Sequence, residues 1–258
     1  MLQASFKNSS NSMWCNNDAT FHEPVCPEYE HVPGNTSFSP GWFQIGHSIS
    51  TSYNLHQFSF HVQGRSSEYL PKVSAILKSG RTSDPGHQFL LNMSESFALM
   101  GATLVLIHPS LFAAGMNAMA KMAAGLVTCK EPDLVKEVMK LWPLLFNTFS
   151  VISNRQTIPH RDVQGMLSNY DLLATFRSYN DGRFEVPAVG LRFVYNPGTL
   201  IRISGKILLH GVGVVSSDWI CITSYFQEKV MERIGMHESE STTHKDFESC
   251  FINITKHK

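Results

Sequence analysis

Residues 191–212 read LRFVYNPGTLIRISGKILLHGV, and this stretch decides the fold. Two short runs rich in β-branched and aromatic residues, Leu191–Tyr195 and Leu200–Ser204, flank Asn196-Pro197-Gly198. Pro and Gly stand at the central positions of a type II turn, where proline presets φ and glycine accepts the positive φ that the turn demands. A third run, Ile207–Leu209, closes at His210 just before Gly211. Outward from here the same texture recurs at Thr148–Ile152, Leu172–Phe176 and Ile220–Phe226. Several short strands separated by turn signals point to a β-sandwich or jelly-roll barrel.

Upstream the periodicity changes to helical over residues 84–142. Asp84-Pro85 offers an N-cap and first helical position, and Phe89, Leu90, Met93, Phe97 and Met100 follow helical spacing. Pro109 interrupts this pattern and starts a second helix that Gly125 can end; Glu131-Pro132-Asp133 opens a third, which closes near Trp142-Pro143. The methionines of this region, Met116, Met119 and Met122, read as core gap fillers. Glu228–Ile234 reads as a last helix. The expected organisation is an Asn-, Ser- and Pro-rich segment over 1–40, either a loosely ordered arm or an extended wrap, and a single domain over 41–236. That domain divides into helical support at 84–142 and a β-rich core at 146–227, with strands also expected within Trp42–Val62. A polar tail occupies 237–258.

Composition bounds the function. The chain has 258 residues, 43% hydrophobic and 16% charged, with zero formal net charge, so it can bury a large core and has no overall pull toward nucleic acid or an anionic bilayer. Cationic contacts must be local, with Lys72, Lys78, Arg81, Arg155 and Arg161 as candidates. The five cysteines, Cys15, Cys26, Cys129, Cys221 and Cys250, include no CxxC pair, which argues against a disulfide framework and a structural zinc site. Asn8, Asn35, Asn92 and Asn253 head glycosylation sequons that matter only in a secreted chain. The polar N-terminus shows no signal-peptide core, and the apolar stretch Phe97–Ile107 is too short to span a bilayer. An intracellular location without membrane contact is expected.

The chemistry-bearing motif is His160-Arg161-Asp162. In extended backbone, residues i and i+2 share a face, so an imidazole and a carboxylate at this spacing can grip one ion. His210, at a strand end, supplies a second imidazole if a barrel brings that end alongside. Two His and one carboxylate leave three positions open on iron(II), enough for a bidentate 2-oxo acid and dioxygen; zinc in the same ligands would favour hydrolysis. Spacing alone also allows an ordinary surface pair. A second copy of the pattern, His244-Lys245-Asp246, sits in the polar tail without strand context and reads as chance.

The segments His160-Arg161-Asp162, Tyr195-Asn196-Pro197-Gly198-Thr199 and Leu209-His210-Gly211-Val212 resemble the TET/base-J-binding-protein (TET/JBP-like) branch of the iron(II)/2-oxoglutarate oxygenases, above all the group expanded in mushroom-forming fungi. Ile107-His108-Pro109 and the lead-in from Asn154 to Pro159 share the likeness, which covers roughly residues 85–235. The resemblance implies an α+β fold with a double-stranded β-helix (jelly-roll, cupin-like) core and supporting helices. It implies Fe(II) held by His160, Asp162 and His210, 2-oxoglutarate as cosubstrate with dioxygen, and oxidation of 5-methylcytosine, or N6-methyladenine, flipped out of a DNA duplex. A nuclear location follows from that substrate. Gln164 and Gly165 fall where the family lines the base pocket, Tyr225 falls where it places an aromatic near the base or the cosubstrate, and Arg161 is a candidate cationic contact to the substrate. One departure stands out. The family carries Arg on the strand after the distal His to pair with the far carboxylate of 2-oxoglutarate, and Trp219 occupies that position here, with Cys221 where a small hydroxyl or thiol assists. Arg202, or else Arg177 or Arg192, is expected to supply the missing charge. The alternatives are a relative that binds metal or nucleic acid without turnover, or an oxygenase for a substrate other than nucleic acid.

Overall fold

The structure, a computed structural model, describes residues 33–42, 70–78, 84–163 and 165–236. Three helices form one layer: α1 (Pro85–Ile107), α2 (Pro109–Ala123) and α3 (Pro132–Leu141). Each begins with proline at its first position, where the missing N–H costs nothing and φ is already helical. His108 separates α1 from α2 and caps the second, its Nδ1 accepting from the Leu111 N–H at 3.3 Å. Gly125, at φ +72°, follows the end of α2, the left-handed step that glycine makes without a Cβ penalty. By length and composition α1 could cross a bilayer, a reach the sequence reading did not anticipate. Its Phe89, Leu90, Met93, Phe97, Met100 and Leu104 are buried in the domain core, as a core helix requires.

The rest is two antiparallel sheets. The larger has the order β1-β2-β9-β4-β7 and the smaller β3-β8-β5-β6. The strands are β1 (Gly34–Phe38), β2 (Thr148–Ser153), β3 (Thr157–His160), β4 (Asp171–Arg177), β5 (Arg183–Val186), β6 (Leu191–Val194), β7 (Leu200–Ile203), β8 (His210–Val212) and β9 (Trp219–Tyr225). A last helix, α4 (Glu228–Ile234), follows. Alternation along the large sheet separates two cores. Phe149 and Val151 of β2, Leu172, Ala174 and Phe176 of β4, and Ile220 and Ile222 of β9 pack with the helices. Leu173, Ile203, Trp219 and Cys221 point the other way and join Phe184 and Val212 of the small sheet inside the barrel. Phe149 is the hinge of the outer core, its ring 4.6 Å from Phe38, 4.8 Å from Phe97 and 5.5 Å from Trp142. Two facing antiparallel sheets with helices against one of them make this an α+β double-stranded β-helix.

The type II turn forms as expected: Thr199 N–H donates to the Asn196 carbonyl at 3.0 Å, with Gly198 at φ +87°. Two expectations need correction, and one strand had no expectation at all. Residues 34–38, placed in the N-terminal arm, are a paired strand whose Phe38 sits in the core. Residues 207–209 are turn rather than strand; the strand starts at His210, because Ile207 and Leu208 N–H groups both bond back to the Ser204 carbonyl. The strand at Arg183–Val186 was not anticipated. The expected strands within Trp42–Val62 lie outside the described residues beyond Trp42, as do the arm before residue 33 and the tail with its His244-Lys245-Asp246 copy.

Candidate metal centre

β3 and β8 carry the two imidazoles face to face. Their register pairs Thr157 with Val212 and His160 with His210, so β3 holds one more residue than β8 across this step. That is a bulge, and bulges re-aim side chains beside functional sites. Pro159, which has no N–H to lose, stands inside it. Gly211 stands opposite with its Cα so close that a Cβ would meet the Thr157 carbonyl oxygen at 2.6 Å and the Pro159 nitrogen at 3.1 Å. The bulge and the glycine together set His160 directly across from His210, their rings 4.6 Å apart.

Asp162 completes the group. Its Oδ1 lies 3.3 Å from His160 Nε2 and its Oδ2 3.5 Å from His210 Nε2, and donor atoms of all three residues fall within 4.8 Å of one another. Each imidazole is oriented from behind: His160 Nδ1 lies 3.0 Å from the Ile158 carbonyl and His210 Nδ1 2.9 Å from the Leu208 carbonyl. A proton on each Nδ1 turns the Nε2 lone pairs toward Asp162, the tautomer a metal requires. His210 is buried and stacks on Phe184 at 5.6 Å. The hydrogen bond to Asp162 raises the His160 pKa against the opposing effect of burial. Burial also works against the ionised Asp162, yet the His160 hydrogen bond and the charges of both imidazoles hold its carboxyl below the usual range. Behind it, burial and the charge on Asp162 push Asp171 well above the usual carboxyl range. The donors, their spacing and their tautomers fit a single divalent ion bound by two His and one carboxylate.

The triad opens into a cavity of about 500 Å³, within the range of small-molecule sites. Ser150, Leu173, Cys221, Thr223 and Tyr225 form its wall on the large sheet, and Trp219 lines it too. Trp219, Cys221 and Tyr225 thus share one cavity with the triad. Cys221 Sγ is 3.3 Å from Tyr195 Oη and 3.6 Å from Thr223 Oγ1, and its burial raises the thiol pKa. Arg161 also lines the cavity, its Nε donating to the Ile207 carbonyl at 2.9 Å. Gly165 faces it and bridges to Gln227; Gln164 lies outside the described residues.

Arg202 does not reach the cavity. It pairs with Leu172 across β4 and β7 and shares that residue's helix-facing side. Its guanidinium stacks over the Tyr170 ring at 3.5 Å and donates to the Ile107 carbonyl at 3.0 Å. Arg192 pairs with Glu185 on the exposed β5–β6 hairpin, and Arg177, opposite Trp219 on β4, is likewise outside the lining. The second cavity-lining arginine among the described residues is Arg155, which sequence offered only as a candidate for local cationic contacts. A tight clamp places it. Asn154 adopts φ +45° and donates its backbone N–H to the Trp219 carbonyl at 3.1 Å. Its Oδ1 accepts from the Trp219 N–H at 2.7 Å, and its Nδ2 donates to Asp218 at 2.6 Å.

Two imidazoles and a carboxylate set in a double-stranded β-helix fit the ligand set of mononuclear non-haem iron oxygenases. The Tet_JBP family model, the oxygenase domain of the 2OGFeDO superfamily, matches residues 63–228. The chain belongs to that family. Iron(II) and 2-oxoglutarate are the cofactor and cosubstrate that membership implies. Among solved structures the chain is similar to NgTET1 in complex with 5mC DNA, at 14% identity and a TM-score of 0.45, over 73% of this chain and 64% of that one. The chain thus spans just under two thirds of that structure. Comparison with curated proteins finds no match.

Proposed function

We propose that the chain is an iron(II)/2-oxoglutarate-dependent dioxygenase that oxidises the methyl group of a base flipped out of DNA, 5-methylcytosine in the first place and N6-methyladenine as the other candidate. The observation that carries this reading is the triad at the edge of a cavity of about 500 Å³ lined by both arginines and hydroxyls, in a chain of this family. The bound iron supplies activation of dioxygen coupled to decarboxylation of 2-oxoglutarate; the chain's own work is binding, orientation and exclusion of water.

Arg155 takes the far carboxylate of 2-oxoglutarate in place of the arginine that Trp219 displaces. A guanidinium pairs with a carboxylate through two parallel hydrogen bonds, which an indole cannot offer. Tyr225 presents a flat face to the base, and Gly165 leaves room for its edge. Arg161, anchored through Nε at the rim, meets a phosphate. Base flipping costs a few kcal/mol, and contacts of this kind offset it. A DNA substrate sets the nucleus as the place of action.

The test is succinate release, with mass spectrometry of the bases, on methylated and unmethylated duplex in the presence of iron(II) and 2-oxoglutarate. Turnover that requires the methylated base supports the reading, and its absence overturns it. Trp219 favours a second reading, a relative that binds metal or nucleic acid without turnover. Wild-type 2-oxoglutarate binding in the micromolar range, lost in Arg155→Ala, removes that reading; a gain of binding in Trp219→Arg from an undetectable wild-type level supports it.

A further inference from the structure

β1 precedes the stretch matched to the family, residues 63–228, so membership assigns nothing to it, yet it contributes to the cavity wall. Phe38 anchors the strand, its ring stacked on Phe149 in the outer core. Alternation along the strand then turns Ser37 and Asn35 to the opposite face. The register carries that face across the sheet. Asn35 stands opposite Ile152, and Ile152 opposite Cys221; Ser37 stands opposite Ser150, and Ser150 opposite Thr223. Asn35, Ile152, Cys221, Ser150 and Thr223 all line the cavity. The second row is polar and joined. Ser37 Oγ lies 2.8 Å from Ser150 Oγ, which lies 3.4 Å from Tyr225 Oη. Tyr225 pairs with Thr148 and so sits diagonally from Ser150, a separation that an aromatic side chain spans. Three hydroxyls thus run from β1 to the aromatic of the cavity. Asn35 is exposed and ends the first row among the described residues, with an amide that carries a donor and an acceptor side by side.

From this wall we infer that β1 sets substrate specificity: Asn35 hydrogen-bonds the polar edge of the group admitted to the cavity, and Ser37, through Ser150, is a positioning residue that fixes the Tyr225 hydroxyl. The inference rests on the reading of the cavity as a methylated-base site. The matching ligand is a planar ring with a donor beside an acceptor on its edge, as the amino and ring nitrogens of cytosine or adenine provide. A side-chain amide meets such a pair with two hydrogen bonds. A site built to hydrogen-bond its substrate rejects an analogue without those groups more strongly than an apolar pocket can by shape. Tyr225 held by its hydroxyl keeps its ring in one plane, against which a base can lie flat.

The experiment measures fluorescence anisotropy of two single-stranded oligonucleotides with the full chain. One carries 5-methylcytosine, or in a second series N6-methyladenine; the other carries an abasic site in its place, with the same phosphates and no base edge. Wild type is compared with Asn35→Ala, Asn35→Asp, Ser37→Ala, Ser37→Thr and Thr36→Ala, the last a control on β1 itself because Thr36 pairs with Val151 on the helix-facing side. Thermal unfolding monitors the fold, and calorimetry gives 2-oxoglutarate affinity. Wild type prefers the methylated base to the abasic site. Asn35→Ala and Asn35→Asp, the second of similar size but without the amide donor, lose about 3–10-fold of that preference with abasic affinity and 2-oxoglutarate affinity unchanged. Ser37→Ala loses part of it and Ser37→Thr, which keeps a hydroxyl, retains it. A merely structural role would weaken both oligonucleotides alike, and Thr36→Ala would do the same. Wild-type preference in both Asn35 variants overturns the inference, as does equal loss on the two oligonucleotides or a Ser37→Thr no better than Ser37→Ala. A fall in 2-oxoglutarate affinity with the base preference intact assigns the wall to the cosubstrate and overturns it as well. Wild type without preference for either methylated base overturns the base reading itself, whereas wild-type preference with indifferent variants overturns only the role of β1.

Discussion

Replacing Asn154 with alanine tests whether the clamp on Trp219 places Arg155. Three losses follow from the structure. The Nδ2 bond to the Asp218 carboxylate, 2.6 Å, is charge-assisted and contributes about 1.5 kcal/mol. The buried Trp219 N–H, now held by Oδ1 at 2.7 Å, loses its acceptor at a cost of about 1–3 kcal/mol. Alanine must also hold φ near the present +45°, a left-handed conformation that costs roughly 1 kcal/mol for a residue with a Cβ. Together these destabilise by about 4 kcal/mol, a large share of the 5–15 kcal/mol that typically separates folded from unfolded. Asn154→Gly escapes only the backbone term, so it should lie about 1 kcal/mol above the alanine variant. Urea unfolding followed by tryptophan fluorescence measures both. 2-Oxoglutarate affinity, measured in buffer where both variants remain folded, should fall in each, because Arg155 follows Asn154 directly. An alanine variant within about 1 kcal/mol of wild type, or a glycine variant less stable than alanine, would falsify the strain and hydrogen-bond account. Unchanged 2-oxoglutarate affinity in both would detach Arg155 from the clamp.

Other outcomes follow from the same geometry. A proton on His160 Nε2 competes with metal, and the His160 pKa is raised in the metal-free site, so Co²⁺ affinity falls as pH drops through that raised value and levels off above it. Calorimetry across mildly acidic to neutral pH checks this, and an affinity insensitive to pH there removes His160 from the ligand set. Arg202→Ala loses its stacking on Tyr170 and its bond to Ile107 and should cost about 1–2 kcal/mol of stability with no change in 2-oxoglutarate affinity; a selective loss of that affinity would return Arg202 to the site. Gly198→Ala forces a Cβ at φ +87° and should destabilise by about 1 kcal/mol or more, read as a lower unfolding temperature with metal affinity retained.

Sequence revealed what local chemistry encodes. The prolines at 85, 109 and 132 marked three helix starts because a helix N-terminus is where proline costs least. Asn196-Pro197-Gly198 marked its turn for a similar reason, and the three residues of the candidate metal centre were legible as donors at usable spacing. Features set by pairing between distant segments were hidden. β1 reads GNTSF, too polar to suggest a strand, and owes its order to β2. β5 has only Phe184 and Val186 inward, alternating with the charged Arg183 and Glu185. Arg202 was misplaced although its neighbours held the answer. Ile201 and Ile203 face the barrel interior, so period-two alternation sends the residue between them to the helix side. Asp171 stands just ahead of an apolar run, and only the fold brings its carboxyl and that of Asp162 together against Gly205.

The pairing of His160 with His210 carries a consequence for how the small sheet holds together. Both imidazoles sit on one short ladder, in strands widely separated along the chain, so an ion bound between them is an inter-strand staple. A slip of one residue in that ladder would send one imidazole to the opposite face and lose the ion, so metal occupancy selects the correct register. Free ion at about a hundred times its dissociation constant would add roughly 2.7 kcal/mol to the folded state, concentrated where β3, a four-residue strand, meets β8, a three-residue one. Chelation would then loosen this seam first and leave the helix-backed sheet, with its larger aromatic core, intact.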